Sequence, residues 1–136
     1  MKTLNVKTLF LTVVTSLFLF SSCKKNNEEI LVAQPSIEGI WEGKYGAGNN
    51  VPDNYFSFII NKDGTLKVKT DASKEPNGTG TWKLDGGTFT AIYQYTGLAI
   101  KYNVAAKTDI SKGTMDGSYG IGEISTDDGT YFMTKK

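Results

Sequence analysis

Few residues in this sequence have the means to do chemistry. Cys23 is the single cysteine in a chain of 136 residues that has no histidine and whose cationic side chains are all lysines. A lone thiol forms no intrachain disulfide, which leaves redox exchange, metal ligation, nucleophilic attack or covalent modification. Without histidine the serines lack the commonest general base, and a metal would lack the commonest nitrogen ligand. Carboxylates are present but badly spaced. Glu38 and Glu42 share one face of an extended run, about 13 Å apart at four residue rises, farther than the pairs that hydrolyse glycosides. Asn49, Asn50, Asp53 and Asn54 offer oxygen atoms without the spacing of a calcium loop. A hexapeptide of the form G-x-Y-G-x-G occurs twice, at residues 43–48 and 117–122. No helical pattern follows either copy, so neither is a nucleotide-binding loop; both read as glycines that let a strand bend or pack against a ring. The expectation is a protein that is not an enzyme and has no cofactor and no metal.

The formal net charge of +1 implies no pull toward nucleic acid, and without arginine the usual reader of guanine edges is missing. No nucleic-acid partner is expected.

The flanks of Cys23 narrow its role. Lys2 and Lys7 make a basic start, residues 9–20 are mostly apolar, and the small residues Ser21 and Ser22 precede the cysteine. That order describes a secretory signal peptide over residues 1–22, and the apolar run falls short of the roughly 20 residues needed to span a membrane. The stretch Leu19-Phe20-Ser21-Ser22-Cys23 resembles a bacterial lipobox, of the relaxed form similar to that of Bacteroidota lipoproteins. The resemblance implies cleavage before Cys23, acylation of its thiol, and a membrane partner held through the acyl chains. One acyl chain binds a membrane only marginally, whereas two or three hold stably. Lys24, with Glu28 and Glu29 further on, is similar to the sorting signals of lipoproteins of the outer membrane; the implied location is that membrane, on its periplasmic face or at the cell surface. Residues 24–36, polar at first and ending in Pro35-Ser36, read with Cys23 as a short linker over residues 23–36.

From residue 37 to 136 the apolar period is two, which is the period of strands. One face collects Trp41 and Tyr45 from the first run and Phe56 and Phe58 from the second. Trp82 comes from a later run, Phe89 and Tyr93 from the next, then Tyr102 and Tyr119. Lysines and threonines take the opposite face, and residues 130–134 are apolar on both. Asp63-Gly64, Asp85-Gly86 and Asp128-Gly129 read as hairpin turns, and residues 107–113 as a further reversal. Eight short strands with no room for crossover helices predict an all-β fold: a small up-and-down antiparallel β-barrel, a meander without exposed edges. Membrane-spanning barrels alternate too, with their apolar side outward, but these runs are shorter than the roughly 9–11 residues such strands need.

Gly39-Ile40-Trp41 resembles the G-x-W triplet of small lipocalin-like (calycin-like) barrels, in which the tryptophan packs across the closed end. An eight-stranded barrel is filled by its side chains or holds one small ligand. Both remain open for these nine aromatic residues. No charged residue falls on the predicted inner face, so a ligand is expected to be neutral and apolar or aromatic. The alternative is an interaction with a partner protein, such as inhibition of an envelope-attacking hydrolase, through the loops at residues 47–53 and 71–78.

Overall fold

The computed structural model describes residues 34–122 and 127–136. The predicted signal peptide, Cys23 and the linker as far as residue 33 lie outside the described residues. Eight strands follow in chain order: β1 (Gly39–Ala47), β2 (Asn54–Ile60), β3 (Thr65–Lys69), β4 (Gly78–Asp85), β5 (Thr88–Tyr95), β6 (Lys101–Asp109), β7 (Thr114–Ile121) and β8 (Gly129–Lys135). Each pairs antiparallel with its sequence neighbours, and β8 returns to β1 to close the barrel. The closing seam runs from Trp41↔Lys135 to Ala47↔Gly129. The all-β meander expected from the alternation is the observed architecture.

Burial follows the alternation. Trp41, Phe58 and Phe89 are wholly buried inside, with Leu66, Val68, Met115 and Met133 around them. Lys44, Lys67, Lys83 and Lys107 project outward from the same strands. The apolar side therefore faces the interior, the reverse of a barrel whose wall meets lipid. In β8 the uncertainty over facing resolves: Tyr131 and Met133 point in and Phe132 points out, 41% exposed.

Several boundaries move from the expected ones. Ile37 precedes β1 rather than starting it, yet it is buried. Glu38 also precedes β1, and Glu42 pairs outside the barrel with Lys136 Nζ at 2.9 Å. β6 continues to Asp109, through part of the stretch read as a reversal, because Ala106 and Thr108 keep the inward period with side chains too small or polar to advertise it. Ile100 lies outside β6 and is exposed. The β4–β5 turn is Gly86-Gly87 rather than Asp85-Gly86, with φ of 53° and 87°. Left-handed conformation at both central residues matches the strand twist, and glycine adopts it without strain. Asp128-Gly129 makes no tight turn: Gly129 is already in β8, and residues 122–128 form the connection.

The two ends of the barrel differ. At one end the connections are short, at residues 61–64, 86–87 and 110–113. Here the approach segment plugs the barrel. Trp41 Nε1 donates to the Ile37 carbonyl at 2.7 Å, and Lys135 Nζ donates to the Ser36 carbonyl. At the other end the connections are longer, at residues 48–53, 70–77, 96–100 and 122–128.

Candidate functional site

The interior opens at the end with the long connections, as a cavity of about 390 Å³. Its walls are tyrosines: Tyr45 from β1, Tyr93 and Tyr95 from β5, Tyr102 from β6 and Tyr119 from β7. Phe56 of β2 lies beneath them, and Ala47 and Ile121 sit at the rim with Asp128. A cavity of this size is in the range that encloses small ligands.

The nine aromatic residues singled out from the sequence thus divide. Tyr45, Phe56, Tyr93, Tyr102 and Tyr119 line the cavity. Trp41, Phe58, Phe89 and Trp82 do not; they fill the barrel toward its plugged end. Trp82 stacks on Phe89 with centroids 6.2 Å apart, and its Nε1 donates to the Asn61 carbonyl at 2.9 Å. The rings of the upper interior interlock. Tyr93 and Tyr102 stack at 5.4 Å, and Tyr95 meets Tyr102 edge to face at 5.1 Å. Tyr45 meets Phe56 at 5.4 Å and Tyr119 at 5.9 Å, both edge to face. Edge-to-face and offset contacts at these distances are the favourable aromatic geometries, so the walls hold one another in place.

Glycine makes room for these rings. Gly129 pairs with Tyr119, whose ring would lie 2.6 Å from a Cβ at that position. The repeated hexapeptide follows the same logic. In both copies the first glycine is pressed against a neighbouring backbone: a Cβ on Gly43 would lie 1.7 Å from the Phe132 carbonyl oxygen, and one on Gly117 would lie 2.2 Å from that of Ala105. In both copies the tyrosine points into the mouth. Because β1 and β7 both flank β8, the two repeats deliver Tyr45 and Tyr119 to each other. Read from sequence as packing alone, the motif in fact builds one wall of the cavity.

Asp128 is fixed between the two repeats. Its Oδ2 accepts from the Ile121 amide at 2.6 Å. Its own amide donates to the Tyr119 carbonyl at 2.9 Å, and its carbonyl accepts from the Gly48 amide at 2.7 Å. The strand residues that line the cavity carry no charge; the carboxylate reaches the mouth from the β7–β8 connection instead. Sequence reading missed it because Asp-Gly signals a turn. It also passed over Tyr95, although the alternation of β5 placed that ring inward.

Burial raises three of the cavity's hydroxyls, those of Tyr93, Tyr95 and Tyr119. Burial, with the neighbouring Tyr95, raises Tyr93 far above the ordinary phenol range, and burial pushes Tyr95 up to about 12. Tyr119 is raised by burial first, then by Tyr45 and the Asp128 charge. Below them Tyr131 is buried beside Phe56 and Phe58, and its hydroxyl faces Met115 Sδ at 3.8 Å. Among the described residues the arrangement is a ring-walled cup with one acidic side chain, Asp128, at its lip. It can enclose an apolar or aromatic body and offer it phenol hydroxyls. The chain matches no protein-family model, no curated protein and no solved structure.

Proposed function

We propose that this chain is a lipid-anchored lipoprotein of the bacterial cell envelope, placed at the outer membrane by acyl chains on Cys23. Its lipocalin-like barrel binds a small apolar or aromatic ligand or envelope component in the tyrosine-walled mouth. The observation that carries the binding reading is the cavity: an interior of this size could have been filled, as it is around Trp41, Phe58 and Phe89, and at the mouth it is not. Pockets that are mostly apolar, with a few convergent polar groups, are where small ligands bind.

A second reading has its own support. Val51 on the β1–β2 connection is 82% exposed, and Leu98 and Ile100 on the β5–β6 connection are also exposed. Apolar side chains on two mouth loops that face each other across the barrel suit contact with a partner protein, including a hydrolase that this protein would inhibit. Native mass spectrometry of the full chain extracted from its own membrane separates the two. A co-purifying small molecule that is lost on Tyr102→Leu supports ligand binding. A consistently empty barrel that captures a protein partner, and releases it on Val51→Asp, supports the loop reading.

A further inference from the structure

The walls and lip of the cavity together specify more than an apolar guest. Five tyrosine rings present faces and edges to one space, and burial raises the hydroxyls of Tyr93, Tyr95 and Tyr119 above the ordinary phenol range. Among the described residues Asp128 is the one acidic residue lining that space, and no lysine lines it. The carboxylate is not a swinging surface group. Its Oδ2 accepts from the Ile121 amide, and the backbone of Asp128 is held by bonds to Tyr119 and from Gly48, which places the residue on the side of the mouth where Tyr45 and Tyr119 meet. An aromatic face attracts a cation through its quadrupole. A carboxylate held beside such faces adds charge attraction without the entropy cost of ordering a free side chain.

We propose that the cavity selects a small organic cation: an alkylammonium or guanidinium head held at Asp128 and the tyrosine faces, carried on an apolar or aromatic body that descends toward Phe56. The inference rests on the ligand-binding reading above and narrows its ligand class. The aromatic body satisfies the apolar floor, and the cationic head meets the carboxylate that the Ile121 amide holds at the lip, where the other described lining residues are tyrosines and apolar side chains.

The test uses three probes that share a phenyl ring and differ in charge: phenethylammonium, phenethyl alcohol and phenylacetate. Each is titrated into the full chain by calorimetry. The ammonium should bind about tenfold more tightly than the alcohol, most of that gain coming from the Asp128 charge and about twofold from an exposed cation–π contact, and the carboxylate probe should bind weakest. Asp128→Asn keeps an oxygen to accept from the Ile121 amide, so the lip stays anchored while its charge is removed. In that variant the preference should shrink to within about twofold, with the alcohol's affinity unchanged. Ranking on the unmodified chain needs no variant to fold. If the alcohol binds as tightly as the ammonium, charge selection is overturned and the ligand-binding reading stands. If Asp128→Asn keeps the full preference, the assignment to this carboxylate is overturned. If none of the three probes binds, both this inference and the reading beneath it fall.

Discussion

Trp41 is the residue on which the plugged end turns. It is wholly buried, and its indole nitrogen is bonded to the Ile37 carbonyl, so one side chain fills space and also fixes the approach segment. Trp41→Ala should lower unfolding free energy by about 3–5 kcal/mol, the range for deleting a large buried ring. Denaturant titration of the full chain measures this, and an unchanged midpoint with an unchanged slope would contradict the barrel register. At the mouth the balance differs. Tyr45, Tyr95, Tyr102 and Tyr119 are only half-buried and border open space, so truncating any one removes wall without leaving a sealed void. Residue type alone did not reveal this difference. Tryptophan, phenylalanine and tyrosine all occupied inward positions, and only their height in the barrel separates filler from wall.

At the scale of the element, the strands were legible because inward and outward residues alternate strictly. Phe56, Phe58 and Ile60 on β2, or Phe89, Ala91 and Tyr93 on β5, leave no second register that buries the same rings. The ends of strands were less legible, since glycine and aspartate serve both turns and strands. Asp128 shows the cost of that ambiguity. Other aspartates do act in turns. Asp63 Oδ1 accepts from the Thr65 amide at 2.9 Å, Asp71 Oδ1 from the Ser73 amide at 2.9 Å, and Asp109 Oδ1 from Ser111 Oγ at 2.6 Å. The Thr65 and Ser73 hydroxyls and amides hold Asp63 below the usual carboxylate range and Asp71 down to about 2. Lys112 and Ser111 hold Asp109 lower still. A carboxyl whose folded pKa is depressed adds stability above its unfolded pKa and loses it as pH falls toward the folded value. The thermal midpoint should therefore be flat above about pH 5 and fall progressively from about pH 4 toward pH 2. A triple change to asparagine at these three positions should flatten that acid limb. A limb of undiminished steepness would place the acid sensitivity elsewhere.

For the whole molecule, the two ends of the barrel are built differently. The chain joins β1 at the plugged end, where Ile37, Trp41 and Lys135 bind the approach segment down, and the cavity opens at the opposite end among the longer connections. The described residues that hold the approach segment are therefore distinct from those that line the cavity. If Cys23 is the lipid attachment point, removing it should change where the protein is and leave what it binds untouched. Acyl chains contribute about 0.8 kcal/mol per buried CH₂ group, and a serine at position 23 has no thiol to carry them. Cys23→Ser should move the protein from the membrane fraction to the soluble fraction, and intact mass should show the loss of the lipid increment. Phenethylammonium affinity should stay within about twofold of the unmodified chain, because the substitution changes none of the described residues that line the cavity. A parent chain that carries no lipid increment would refute the anchor. A variant that is soluble but has lost the ligand would refute the separation of duties, since it would mean that the plugged end and the mouth communicate through the packed rings between them.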